Sequence, residues 1–183
     1  MIVLTGASAS GKTEVVKLLK IKYGIDKVVT HTTREIRSLE IPDEDYHFIT
    51  KKEFQKMISE NKFVEWTIYN GNYYGTSKEE IGINKAIILE PNGVKAMQAL
   101  NQDTIIVFRL LASEITRFNR MIIRQDPLEK IRERISNDKI CFSDDNFTNV
   151  DYTIDTDIHT ILEVTDEVYS LYNKKLSQLN HKA

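Results

Sequence analysis

Eight consecutive residues, Gly6-Ala7-Ser8-Ala9-Ser10-Gly11-Lys12-Thr13, fit the pattern G-x-x-x-x-G-K-[ST]. The two glycines let a backbone curl around an anion and turn successive N–H groups inward. A short apolar run precedes them and a helical pattern follows. The start of a helix therefore adds its partial positive charge to the same spot. Lys12 is placed to bridge the β- and γ-phosphates of a nucleotide, and the Thr13 hydroxyl to bind Mg²⁺. A glycine-rich turn without a ligand would not need this strand and helix on either side. Residues 6–13 thus read as a nucleoside-triphosphate cradle, which leaves the class of protein open. No N-K-x-D and no D-x-x-G accompanies it, so a GTPase is not expected. The triphosphate is then spent on a second, captured substrate.

Arginine usage points the same way. The chain has eight arginines against seventeen lysines, and all but Arg109 fall in three short segments: Arg34/Arg37, Arg117/Arg120/Arg124 and Arg132/Arg134. Forked guanidinium donors recognise phosphate and carboxylate bidentately, which lysine cannot do. Taken singly, each group could be an ordinary wet surface.

The remaining composition sets bounds. The 183 residues suit one domain with inserted lobes. A net charge of −2 gives no basic excess pointing to nucleic acid. No apolar run approaches the ~20 residues needed to cross a bilayer, and the first residues lack a signal-peptide pattern. The single cysteine, Cys141, excludes an internal disulfide and any multi-cysteine metal site, and reads as a small buried or half-buried residue. His31, His47 and His159 have no metal-ligand spacing. The expectation is a soluble, cytoplasmic protein without nucleic-acid or membrane partners, monomeric or homodimeric.

Alternation organises the chain. Strand patterns at 2–5, 28–30, 86–89, 104–110 and 152–154 are separated by helical patterns from Lys12 to Tyr23, over 94–100, through Arg117, Arg120 and Arg124, over 128–138 and from 158 to 172. Such alternation predicts an α/β fold, a parallel sheet with helices on both faces. The middle differs. Strands at 46–50, 63–69 and 72–76, an Asn70-Gly71 hairpin signal and two capping-box patterns, at Thr50 and Ser77, predict a small inserted antiparallel lobe with one helix. The expected organisation is one domain: a core of 1–33, 81–116 and 136–183, a lobe of 34–80 and a helical lid of 117–135.

After the cradle come Thr32-Thr33-Arg34 with Arg37, then Glu40 with Asp45-Tyr46-His47-Phe48, Phe63-Val64-Glu65 and Gly71-Asn72-Tyr73-Tyr74-Gly75-Thr76. This ordered series resembles the guanylate kinases, P-loop nucleoside monophosphate kinases, firmly over 1–135 and weakly beyond. The resemblance implies that Arg34, Arg37, Tyr46 and Tyr74 hold the acceptor phosphate. Glu65 would accept hydrogen bonds from guanine N1–H and N2, Thr76 would contact guanine O6, and Thr30 and Gly75 would lie beside the base. Glu90 would stand near Mg²⁺ where the family has an aspartate. Arg124 and Arg134 would clamp the transferring phosphates, and Arg120 would stack on adenine. The chain departs from the family at Leu39 and Asp43, at Glu90, and at Ile123 and Gln125 in place of lid glycines.

Residue chemistry supports the resemblance. A carboxylate complements guanine's N1–H/N2–H₂ edge and repels the unprotonated N1 of adenine; such a site can discriminate by about 10⁴. Converging arginines and tyrosine hydroxyls would be left unpaired by a nucleoside without phosphate. The implied reaction is ATP + GMP → ADP + GDP with Mg²⁺, and dGMP as a second acceptor. Lys12, Arg37, Arg124 and Arg134 would neutralise charge on the transferred group. Two alternatives remain: a kinase for another (deoxy)nucleoside monophosphate, and a non-catalytic guanylate-kinase-like module that binds a phosphopeptide.

Overall fold

A computed structural model describes residues 1–36, 40–69, 71–147 and 149–180. The first strand, β1 (Ile2–Thr5), is wholly buried. It runs into the phosphate loop and then α1 (Lys12–Tyr23). Gly24, at φ 66°, caps that helix through N–H bonds to the carbonyls of Leu19 and Lys20. Its left-handed backbone suits glycine. The chain continues through β2 (Asp26–Lys27), β3 (Thr30–Thr32), β4 (Tyr46–Phe48), α2 (Lys51–Ser59), β5 (Phe63–Tyr69) and β6 (Asn72–Ser77). Then follow β7 (Lys85–Ile88), α3 (Pro91–Gln98), β8 (Ile106–Leu111), α4 (Glu114–Ile123), α5 (Leu128–Cys141), β9 (Tyr152–Asp155) and α6 (Ile161–Asn180).

Five strands form a parallel sheet in the order β2-β7-β1-β8-β9. Alternate side chains divide it into two faces. Ile2 and Leu4 of β1, with Phe108 and Leu110 of β8, pack against Val15 and Leu19 of α1 and Val164 and Val168 of α6. Val3, Ile87 and Val107 face Val94 and Met97 of α3 on the other side. Burial on both faces explains why these strands read as continuous apolar runs. The chain leaves β1 toward β2 and β7 on one side and later fills β8 and β9 on the other. β1 is therefore the switch point, and its C-terminal end is where such sheets bind ligands.

The second sheet, β4-β3-β6-β5, is the inserted lobe. Two of its pairings, β3 with β6 and β5 with β6, are antiparallel, but β3 and β4 run parallel. The strand expected at 28–30 divides between the sheets. Val28 N–H still donates to the Ala86 carbonyl at 2.9 Å, and Thr30 already pairs with Tyr46. Those few residues carry the chain from core to lobe. His31 and His47 have a structural place here. Their rings lie 4.6 Å apart, and His47 Nδ1 bonds Asp43 at 2.7 Å.

Of the two expected capping boxes, only the one at Thr50 forms. The Thr50 N–H donates to Glu53 at 2.8 Å, and Glu53 N–H to Thr50 Oγ1 at 3.2 Å. At Ser77 the chain makes a single 3₁₀ turn over Lys78–Glu80 with no side-chain cap. Glu80 instead turns to Lys85, at 3.5 Å, and to the Val29 N–H. An unforeseen box, Thr160 with Glu163, opens α6. No helix among the described residues is long and apolar enough to cross a membrane.

Phe54 of α2 holds the lobe together. It is fully buried, stacked on Phe63 with ring centroids 4.3 Å apart, and 5.1 Å from the ring of Tyr73. A Cβ on Gly75 would come within 3.0 Å of Phe54, Phe63 and Trp66, so that glycine lets the aromatic layer close. Phe54→Ala is expected to cost about 3–5 kcal/mol, read as a lowered urea midpoint. A change under about 1 kcal/mol would show that the lobe does not rest on this side chain.

Candidate active site

The loop of 6–13 leaves the central strand at the switch point. Three of its residues adopt positive φ: Gly6 at 144°, Ala9 at 61° and Gly11 at 99°. Gly6 has a steric reason as well, since a Cβ there would lie 2.3 Å from the Leu110 carbonyl oxygen. Gly11 caps α1, so the loop's amides and the helix N-terminus act on one point. Lys12 folds back over the loop. Its Nζ donates to the carbonyls of Gly6 (2.6 Å) and Ala7 (2.7 Å) and lies 3.3 Å from Ser10 Oγ. Burial pushes the Lys12 amine down to about 8; Asp138 and Glu90 oppose that shift, and Arg117 adds to it.

Two lid helices dock on this loop. Met121 of α4 and Ile131 and Ile135 of α5 form a small core that includes Ala9. Arg120 spans lid and core. It donates to the Ala9 carbonyl at 3.1 Å, to Thr156 Oγ1 at 3.0 Å and to the Thr156 carbonyl at 2.7 Å. A groove of about 340 Å³ lies between Gly11, Lys12 and Thr13 on one side and Arg120, Ile123 and Arg124 on the other. Arg124 and Arg134 come together from different helices. Both donate to the same oxygen of Asp126, at 2.8 and 2.9 Å. Gln125 takes φ 60° in the intervening turn, a conformation glycine would adopt without strain.

On the lobe, Arg34 makes a bidentate bond to Glu40 at 2.9 and 2.6 Å. Its guanidinium carbon lies 5.5 Å from the centroid of the Tyr46 ring. Tyr46 and Tyr74 meet edge to face at 6.2 Å. Arg34, Tyr46 and Tyr74 are thus neighbours, while Arg37 and Leu39 lie outside the described residues. Thr30 pairs with Tyr46 across β3 and β4. Thr76 is fully buried and donates to Glu65 Oε1 at 2.6 Å. Its hydroxyl thereby orients the carboxylate. Glu65 in turn lines a cleft of about 580 Å³ between lobe and core, with Glu90 and Asn92 on the opposite wall. A larger depression, about 710 Å³, opens elsewhere, beside Ile105, Asp151 and Lys175, and contains none of these residues.

Glu90 follows β7, and the Leu89 N–H bonds the Leu4 carbonyl of β1 at 3.0 Å. Its carboxylate therefore sits beside the loop, near enough to act on the Lys12 charge. Thr13 is exposed in the first turn of α1. A hydroxyl and a carboxylate beside a phosphate cradle suit Mg²⁺, a hard cation that takes few protein oxygens and completes its shell with phosphates and water. Cys141 is half-buried and near Glu90; burial raises its thiol pKa, which suits a packed residue and not a nucleophile.

One residue of this site, Asp138, was not anticipated, and it supplies the partner of Arg117 from the arginine cluster. Asp138 of α5 accepts from the Ser8 N–H at 2.9 Å and from the Arg117 guanidinium at 2.7 Å, and Ser8 Oγ lies 3.2 Å from its other oxygen. Asp138 and Arg117 are 7% and 6% exposed. The available signal was periodicity: Ile131, Ile135 and Asp138 follow one helical stripe, as do Arg117 and Met121.

Known proteins resemble the chain in sequence and in fold. The family model described as guanylate kinase matches residues 1–168. A guanylate kinase of Schizosaccharomyces pombe is 43% identical over 116 residues, taking in 58% of this chain and 57% of that protein. One from Shewanella violacea is 33% identical, over 74% of this chain and 70% of its own length. One from Syntrophus aciditrophicus is 30% identical, over 98% and 89%. In fold, the chain is similar to a guanylate kinase from Anaplasma phagocytophilum, with TM-score 0.64 and 20% identity over 96% of this chain and 85% of that one. It is also similar to a gluconokinase from Sinorhizobium meliloti, with TM-score 0.57 and 14% identity over 100% and 96%. With the family match running over nearly its whole length, the chain belongs to the guanylate kinase family, a family of nucleoside monophosphate kinases.

Proposed function

We propose that this chain transfers the γ-phosphoryl group of ATP to GMP, and to dGMP, forming ADP and GDP or dGDP. The observation that carries the reading is the Thr76–Glu65 bond. It fixes a carboxylate in the cleft between the lobe and the end of β7, the strand beside the one that bears the phosphate loop. Guanine offers two adjacent donors to such a group, and adenine offers none at N1.

In this reading 34–80 is the acceptor lobe, whose sheet also takes in β3 (Thr30–Thr32) from the preceding core segment, 117–135 is the lid, and 1–33, 81–116 and 136–183 are otherwise the core of one kinase domain. The loop of 6–13 and the Lys12 amine hold the triphosphate. Arg34, Arg37, Tyr46 and Tyr74 hold the acceptor phosphate, with Thr30 and Gly75 beside the nucleotide. Arg124 and Arg134 leave Asp126 for the transferring group, and Arg120 offers its face to adenine. Mg²⁺, held by Thr13 and Glu90, would neutralise phosphate charge. No general base is needed, because the acceptor phosphate is already anionic at pH 7. The protein's task is alignment and charge neutralisation. Closure of lid and lobe would exclude water and suppress hydrolysis. A cytoplasmic setting, where both nucleotides are present, belongs to the same reading.

Lys12→Ala and Arg37→Ala should each lose most GDP formation in a coupled ADP-release assay while keeping their far-ultraviolet dichroism. Wild-type turnover in either would remove that residue from the machinery. Glu65→Ala should relax the preference for GMP over AMP, with KM for GMP rising and KM for ATP steady; an unchanged GMP/AMP ratio would contradict its role. Lys12 also makes a proton-linkage prediction. Its amine titrates at about 8, and contact with phosphate raises that value. Mg·ATP binding should therefore take up a fraction of a proton that grows from pH 7 to pH 9, measured by calorimetry in buffers of different ionisation enthalpy. Uptake that is nil across that range would oppose it.

A further inference from the structure

The Asp138–Arg117 pair joins α5 to α4 at the base of the lid, yet neither residue belongs to the arginine clamp. A buried ion pair is a poor stabiliser: an apolar pair of similar volume is often as good or better. Its position suggests another use. Asp138 accepts three hydrogen-bond contacts, from the Arg117 guanidinium (2.7 Å), the Ser8 N–H (2.9 Å) and Ser8 Oγ (3.2 Å). Ser8 precedes Ala9, whose left-handed φ of 61° is strained for a residue with a Cβ. On the other side of Ala9's peptide unit, its carbonyl accepts from Arg120 of α4 at 3.1 Å. The strained residue is thus held from both directions, through Ser8 by α5 and through its own carbonyl by α4. Ala9 also packs on the small core between those helices.

We infer that Asp138 is a positioning residue: it acts through Ser8 to hold the phosphate loop in its anion-binding curve, with Arg117 as its buried counter-charge. The lid helices, in consequence, both carry the clamp and shape the cradle. Because Ser8 N–H is committed to a carboxylate, it is not among the donors offered to phosphate. The Ser10 N–H, which donates to the Ala7 carbonyl at 3.2 Å, is committed as well, so the anion-binding amides are those from Gly11 onward. The kinetic part of this inference rests on the proposed phosphotransfer; the binding part rests only on the triphosphate cradle.

Two double variants separate positioning from packing. R117M/D138N removes both charges and keeps a carbonyl acceptor for the Ser8 N–H. R117M/D138L removes the charges and the acceptor. Both replace a buried ion pair with uncharged groups, so both should melt within a few degrees of the wild type. With a non-hydrolysable Mg·ATP analogue in calorimetry, R117M/D138N should bind within about threefold of the wild type, and R117M/D138L should bind about tenfold more weakly. In the GMP assay R117M/D138L should raise KM for ATP and leave KM for GMP unchanged. Equal analogue affinity in the two variants would overturn the inference and leave Asp138 a packing residue. Absence of GMP kinase activity in the wild type, with the affinity difference intact, would instead fault the assigned substrate. Hydrogen exchange on the wild-type protein provides a test that needs no variant. The Ser8 amide should exchange slowly in the protein without nucleotide, and fast exchange would overturn the inference even if neither double variant folds.

Discussion

A phosphate group can be held by backbone amides only where the chain is bent so that several N–H vectors converge, and such a bend is costly for residues with a Cβ. The protein meets that cost at one place. The loop of 6–13 leaves the central, fully buried strand of the sheet and enters α1 through a glycine cap. Gly6 must be glycine because the neighbouring strand β8 passes against it. Ala9 is held in its left-handed state by the lid side of the molecule. The order of strands places β7 and β8 on either side of β1, and this brings Glu90 to the loop. The rest of the site is arranged around that anion-binding point.

Charge is managed by pairing. Arg34 is matched to Glu40, Arg124 and Arg134 to Asp126, and Arg117 to Asp138. These pairs differ in burial, and burial decides their use. Arg124 and Arg134 have about half their side-chain surface in solvent, at 52% and 48%. Their bonds to Asp126 contribute little stability, so a phosphate can compete for both forks. Arg117 and Asp138 are nearly enclosed. Separating them would strand a charge in a poor solvent, so that pair is fixed. Between α4 and α5 the same two side-chain chemistries make an exposed, exchangeable contact at one end and an enclosed, fixed pair at the other.

Much of the architecture could be read from residue patterns because it rests on short-range physics. The G-x-x-x-x-G-K-T signal, the α1 stop at Gly24 and the capping box at Thr50 each depend on residues within a few positions of one another. Strands buried on both faces announce themselves as apolar runs. Misreadings arose where a distant partner outbid a local one. Glu80 bonds Lys85 and the β3 side instead of capping a helix at Ser77. The stretch 28–30 reads as one strand and divides between two sheets, because periodicity cannot say which neighbour a strand will find.

The amino-acid sequence by itself determined the G-x-x-x-x-G-K-T loop between strand and helix, the α/β alternation, the strands of a small second sheet and the ordered motifs that place the chain among the guanylate kinases. Each of these is carried by residue type and spacing along the chain. Only the tertiary structure decided which carboxylate each arginine meets, that Thr76 orients Glu65, and that Asp138 reaches across 130 residues to the Ser8 amide. Periodicity sets Asp138 and Arg117 on the same stripes as Ile131, Ile135 and Met121, but it does not say which partner each will meet. Their burial depends on which helical stripe faces the core and on what that core has left unpaired, and neither exists until the helices have packed.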